Sequence, residues 1–240
     1  MSRNGFSVLL INKESRIDSD YQILEGKDMH MDNEVKRSCI DCTIGSCNLK
    51  DSPFPGFCTT TNMDEAVLAE AMREYEDTEN RKVTIAAAEV EADNYMKMTR
   101  LEETIEFAKK IGAKKIGIAT CLGLLKESNI LAKILRSHGF EVVGAACKAG
   151  MQKKVGVGIP ARCEAVGENM CNPILQAKLL NAAGTDLNVL MGLCVGHDSM
   201  FYKYSEALVT TLVSKDRVLA HNTVAAIYQS DKYLTRVYNN

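Results

Sequence analysis

Short apolar segments alternate with helical patterns in the second half of the chain, and this alternation constrains the fold more than any other feature. Four such segments are predicted as strands: residues 115–120, 140–146, 187–193 and 207–213. Leucines at helical spacing lie between the first two segments, and Asn172 with Pro173 begins a helix before the third. A strand, a helix and a strand within about 30 residues form a parallel βαβ unit. The sequence therefore predicts an α/β fold with a mainly parallel, Rossmann-like sheet and flanking helices.

Helical patterns also precede the first predicted strand. Asn62 is predicted to cap a helix, with Glu65 three residues later as in a capping box. An alanine-rich helix is predicted over residues 81–91, and Thr99 with Glu102 begins another. The predicted organisation has three parts: an N-terminal tail, expected to be mobile, at 1–37; a cysteine-rich metal-binding knuckle at 38–61; and an α/β domain at 62–240.

Composition excludes several classes of protein. The chain carries 29 Lys and Arg against 31 Asp and Glu, so no nucleic-acid partner is expected. No stretch approaches the ~18 apolar residues of a membrane span, and no membrane association is expected. The N-terminal apolar run at 6–11 is shorter than a secretory signal requires. A cytoplasmic location is therefore expected, where clustered cysteines serve metal binding or catalysis rather than disulfides.

The first of two cysteine sets has the spacing C-x2-C-x4-C-x10-C. It consists of Cys39, Cys42, Cys47 and Cys58. Four thiolates on a turn-rich segment complete a tetrahedral zinc site, and the same number holds an iron–sulfur cluster. Spacing alone favours neither zinc nor iron–sulfur as the cofactor. The alternative is four unligated thiols in a loop.

The second set is scattered in sequence but not on the predicted elements. Cys121, Cys147 and Cys194 end three predicted strands, and Cys171 directly precedes the Asn172–Pro173 helix start. Ligands of parallel sheets bind at the carboxyl ends of the strands. The arrangement suits a bound cofactor, a metal or a reactive thiol pair. The alternative is that these cysteines pack as small apolar side chains.

Two charged segments lie near the same predicted edge. His197 follows Cys194 by three residues, with Asp198 beside it, so these three residues are the candidates for nucleophile, base and carboxylate. The alternative role for His197 is to cap the next helix. Lys215 and Arg217 follow the last predicted strand and could bind an anionic ligand, although a solvated charge run is the commoner arrangement.

Several motifs together resemble one family. They are the Cys39–Cys47 run, C-L-G-L at 121–124, Cys147–Lys148, C-N-P-I-L-Q-A at 171–177, G-L-C-V-G-H-D at 192–198, and K-D-R-V with H-N at 215–222. This combination resembles the predicted metal-binding, zinc-finger-type proteins of bacteria and archaea known as domain of unknown function 1847. The resemblance implies metal binding at Cys39, Cys42, Cys47 and Cys58. It implies no reaction, and it assigns no role to the second cysteine set.

Two functions follow as hypotheses. The first is an intracellular metal-binding protein, zinc or iron–sulfur, with redox or sulfur-transfer chemistry at the second cysteine set, acting on a small molecule or a redox partner. The second is a non-enzymatic binding module stapled by a structural zinc knuckle. Substitution of Cys194 separates them, because only the first hypothesis predicts loss of an activity or a cofactor without unfolding.

Overall fold

A computed structural model of the chain describes residues 36–48 and 52–238. The helices are α1 Thr59–Asn62, α2 Glu65–Glu74, α3 Thr78–Asn94, α4 Arg100–Lys110, α5 Leu125–Ser137, α6 Pro173–Ala182, α7 His197–Tyr204 and α8 Val224–Tyr228. The strands are β1 Lys115–Thr120, β2 Glu141–Ala146, β3 Leu187–Met191 and β4 Leu208–Val213. Except for residues 36 and 37, the predicted tail lies outside the described residues.

The boundary between two compact units falls between Glu65 and Ala66. The first unit holds the N-terminal cysteines in or directly next to the short 3-10 turns Cys39–Asp41 and Ser46–Asn48, and Cys58 directly precedes α1. The second unit holds all four strands. None of the described helices is long and apolar enough to cross a membrane.

The sheet is parallel throughout and has the order β2-β1-β3-β4. This confirms the predicted α/β class. Thr120 at the end of β1 pairs with Ala146 of β2 and Met191 of β3, so these three strands end level. β2 lies on one side of β1 and β3 lies on the other, so the direction in which successive strands are added to the sheet reverses at β1. A crevice at the carboxyl ends of strands is expected at such a reversal.

Each face of the sheet has its own core. On one face Ile116, Ile118 and Val189 pack with residues of α3, α4 and α5. On the other face Ala119 and Leu190 pack with residues of α6 and α7. Alternate residues of a strand point to opposite faces, which explains why these segments read as continuous apolar runs in the sequence.

Three predicted helix starts have different outcomes. Thr99 and Glu102 form the expected capping box of α4. The start of α6 is also as expected: the Asn172 side chain accepts a hydrogen bond from the Leu175 N–H at 2.9 Å, and Pro173 occupies the first turn. The capping box at Asn62 is wrong, because α1 ends at this residue and its amide instead donates to the carbonyls of Gly56 and Cys58 at 3.0 and 2.8 Å.

Candidate functional site

Backbone hydrogen bonds beyond the strand ends hold the second cysteine set at the carboxyl edge. The Cys121 N–H donates to Met191 O at 3.0 Å, and the Cys147 N–H donates to Thr120 O at 2.9 Å. The Asn172 N–H donates to Cys147 O at 2.7 Å, which ties the start of α6 to the end of β2. The edge therefore brings residues 121, 147 and 171 together from three separate segments.

Cys147 and Cys171 form a coupled pair of thiols. Cys147 is 3% exposed and belongs to the core on the α6 and α7 face of the sheet, against which Cys171 packs. Hydrogen bonding with the Cys171 side chain, followed by burial, raises the pKa of Cys147. Hydrogen bonding with Cys147 lowers the pKa of Cys171 to about 7 against the opposing effect of burial, with further help from the charge of Lys148. Cys171 is therefore the thiol of the pair that ionises more readily, and the thiolate is the nucleophilic form of cysteine.

Cys121 and Cys194 complete the group around this pair. Cys121 packs against the same core as Cys171, and the Leu122 N–H donates to the Cys147 sulfur at 3.3 Å. Cys121 and Cys194 both raise the pKa of Cys171, so each of them lies within electrostatic reach of Cys171. We call these four residues the edge cluster.

The proposed Cys194, His197 and Asp198 combination is not joined by side-chain contacts. The Cys194 sulfur accepts from the Arg217 guanidinium at 2.9 Å. His197 begins α7, and its Nδ1 is buried without a hydrogen-bond partner among the described residues. The Asp198 carboxylate accepts the Ser199 N–H at 2.8 Å. In this arrangement Cys194 pairs with a cation rather than with a base.

Gln176 is a buried polar residue of the site that the sequence reasoning missed. Its side chain has no exposed surface, and its amide donates to Thr120 O at 3.1 Å and Ala145 O at 2.7 Å. These bonds hold the ends of β1 and β2 together, and Thr120 O also accepts from Cys147. The signal that could have found it is a polar residue one turn into a helix that starts at the sheet edge.

The first cysteine set lies on irregular backbone. Cys39 and Cys47 are exposed, and Cys42 and Cys58 are half-buried. The Cys39 thiol donates to the Thr59 hydroxyl at 3.1 Å, so the chain doubles back and places residues 39 and 58 close together. Burial opposes ionisation of Cys58, but hydrogen bonds from Thr60 and Thr61 outweigh it and lower its pKa.

Neither set has the geometry of a site for a single metal ion. Within residues 36–48 and 52–238, no three His, Cys, Asp or Glu side chains are placed so that they could hold one. Both sets still supply four thiols, which is the donor number for tetrahedral zinc and for an iron–sulfur cluster. The thiolates of a cluster stand farther apart than those of one ion.

A separate cleft of about 570 Å³ lies between α3, α4 and β4. Its lining includes Tyr95, Arg100, Phe107 and Thr210 but no cysteine or histidine. The cysteines of the edge cluster therefore do not line this cleft.

Comparisons with known proteins place the chain in a family. A crystal structure of Dph2 from Pyrococcus horikoshii with a 4Fe-4S cluster is 18% identical, with a TM-score of 0.32 over 59% of this chain; the chain spans 33% of that structure. The uncharacterized protein MJ0455 of Methanocaldococcus jannaschii is 53% identical over 158 residues, which cover 65% of this chain and 81% of that protein. The model of the family "Protein of unknown function (DUF1847)" matches residues 58–212. The chain belongs to the DUF1847 family.

Proposed function

We propose that this protein attacks sulfur–sulfur bonds with the Cys171 thiolate, with Cys147 as the resolving thiol. The observation that carries the proposal is that Cys171 packs against the core that holds the buried Cys147 at the carboxyl edge of the sheet, where this pairing lowers the pKa of Cys171 to about 7. A thiolate is the nucleophile of sulfur exchange, and a thiol with a pKa near ambient pH is close to the optimum for attack. Burial of Cys147 and the partial exposure of Cys171 assign the attacking role to Cys171.

The exchange is balanced within the pair and its substrate. The Cys171 thiolate bonds to one sulfur of a disulfide, and the other sulfur leaves with the bonding electron pair. Cys147 passes its proton to that leaving thiolate and then attacks Cys171, which releases the second half of the substrate. The two cysteines are oxidised to a disulfide, and the substrate is reduced to one thiol and one thiolate, the thiolate taking any further proton from water.

The test is reaction of the reduced, anaerobically purified protein with the neutral disulfide 4,4′-dithiodipyridine, followed by peptide mass spectrometry. Wild type is expected to release both halves of the probe and form the Cys147–Cys171 disulfide. Cys147→Ser is expected to stop at a mixed disulfide on Cys171, and Cys163→Ser, the matched control, to behave as wild type. Indiscriminate labelling of all cysteines would contradict the proposal.

In the competing account, the four cysteines of the edge cluster bind an iron–sulfur cluster, because four thiolates are a complete ligand set for it. When bound, such a cluster supplies one-electron transfer. A visible spectrum with iron and acid-labile sulfide analysis of the same preparation separates the two accounts. Brown protein that loses its iron in Cys171→Ser but not in Cys163→Ser would replace the thiol proposal with the cluster.

We also propose that Cys39, Cys42, Cys47 and Cys58 hold a structural zinc ion or iron–sulfur cluster, and a zinc ion would require these thiols to come closer together than they are in this structure. The support is the complete thiol set and the doubling back that brings Cys39 beside Thr59. A bound metal would supply folding free energy to a segment with little core. Metal analysis is expected to show thiolate-bound metal that Cys42→Ser loses and Cys163→Ser retains; a metal content that Cys42→Ser leaves unchanged would contradict this.

A further inference from the structure

Two cysteines of the edge cluster each have a cation beside them. The Arg217 guanidinium donates to the Cys194 sulfur at 2.9 Å. The Lys148 ammonium donates to Asn169 O at 2.5 Å, and its charge acts on Cys171. Arg217 therefore contacts a sulfur atom directly, and Lys148 acts on a second sulfur through its charge.

Lys215 supplies a third cation, beside Cys121. A Cβ added to Gly123 would lie 4.0 Å from Lys215 Nζ and 3.9 Å from the Cys121 sulfur. A Cβ added to Gly192 would lie 3.5 Å from Lys215 Cε. The lysine side chain thus lies along the glycine backbone that follows β1 and β3, with its ammonium group on the same side of Gly123 as the Cys121 sulfur.

No described carboxylate neutralises these three cations. The ion pairs of the described residues include neither Lys148, Lys215 nor Arg217. Asp216, between two of them, accepts the N–H groups of Val218 and Leu219 at 2.9 and 2.8 Å. The strand ends therefore carry an excess of positive charge that favours an anionic ligand.

Two buried polar atoms at this edge are also without partners. They are Oε1 of Gln176 and Nδ1 of His197, each with no hydrogen bond among the described residues. The Gln176 amide nitrogen donates to two carbonyls, and these bonds fix the orientation of the amide group. The amide oxygen of Gln176 is therefore a hydrogen-bond acceptor without a donor. Buried polar groups in native proteins are nearly always satisfied, which points to a bound polar group or ordered water here.

We propose that the substrate of the edge cluster is a small sulfur-containing anion with a sulfur–sulfur bond, held by Lys215 and Arg217. This inference rests on the proposed function, because Cys171 is again the nucleophile. With thiosulfate, Cys171 bonds to the outer sulfur, the sulfur–sulfur bond breaks, and sulfite leaves with the bonding electron pair. Cys171 becomes a persulfide, and no oxidant or reductant is consumed.

The experiment compares thiosulfate with the neutral probe 4,4′-dithiodipyridine on the full chain. Persulfide on Cys171 is trapped with iodoacetamide and identified by mass spectrometry in Cys147→Ser, which lacks the resolving thiol, and released sulfite, measured in every protein, gives the rate of persulfide formation. Each rate with thiosulfate is divided by the rate of the same protein with the neutral probe, so that a general effect of a substitution on Cys171 cancels. The double variant Lys215→Gln/Arg217→Gln is expected to form persulfide at least about tenfold more slowly than wild type. Lys178→Gln, an exposed position on α6, is the control and is expected to match wild type.

Each outcome decides the inference. Equal rates with thiosulfate for the double variant and wild type would overturn it. So would the absence of persulfide on a Cys171 that still reacts with the neutral disulfide, which would leave the proposed function intact. A Cys171 that reacts with neither probe would overturn both.

Discussion

The two cysteine sets of this chain stand on opposite kinds of backbone. The first set lies on turns and a four-residue helix, with two of its thiols exposed and a hydroxyl as the contact of Cys39. The edge cluster lies on the ends of a buried parallel sheet, where strand-end carbonyls fix each segment. The family match includes all of the edge cluster but only Cys58 of the first set. The difference teaches that backbone hydrogen bonds at the strand ends fix the positions of the thiols there, whereas the turns of the first set leave two of its thiols exposed.

Two glycines with positive φ give the sharpest test of this contrast. A Cβ on Gly192 would lie 2.1 Å from Leu124 Cδ1, whereas a Cβ on Gly45 would have no neighbour within 4 Å. Gly192→Ala combines left-handed strain with overpacking and is expected to cost about 3 kcal/mol of unfolding free energy. Gly45→Ala introduces only the strain of a left-handed backbone, and this strain is confined to the first unit, so a smaller loss of unfolding free energy is expected. Urea unfolding of both variants checks this, and equal midpoints would break the comparison.

Gln176 tests whether the strand ends depend on a buried amide. Gln176→Leu removes the side-chain amide that donates hydrogen bonds to Thr120 O and Ala145 O. The substitution is expected to lower the free energy of unfolding by about 2 kcal/mol. Gln152→Leu is the matched control, since this exposed side chain donates only to Gly150 O at 2.8 Å. It is expected to stay within about 0.5 kcal/mol of wild type. A similar cost for the two variants would show that the amide does not hold the edge.

The smallest expected effect is that of Lys148. Its charge favours the Cys171 thiolate, so Lys148→Gln is expected to raise the pKa of Cys171 and to slow its alkylation at pH 6.5 by about twofold to threefold. Lys153→Gln serves as the control, because Lys153 is in the same loop but pairs with Glu168. If the two variants alkylate Cys171 at the same rate, the lysine does not act on the thiolate.

The sequence predicted those parts of the site that follow from strand positions. Buried parallel strands are visible in the sequence as short apolar runs. The sequence alone therefore predicts the ends of β1, β2 and β3 and the cysteines at those ends. The contact of Arg217 with Cys194 could not, because it depends on the path of the loop after β4. The helix start at Asn62 was mistaken for a similar reason: its amide serves carbonyls of the cysteine-rich loop, and local pattern does not reveal such a partner.

The most direct test of the central claim is the pH dependence of Cys171 alkylation in reduced, metal-free protein, followed peptide by peptide. A lowered pKa means that the thiolate persists below the usual range, so we expect a midpoint at about pH 7 and a tenfold loss of rate for each unit below it. Cys147 is expected to stay unlabelled across the neutral range. A midpoint for Cys171 near the ordinary thiol value of about 8.5, or equal labelling of Cys147, would contradict the coupling of the two thiols.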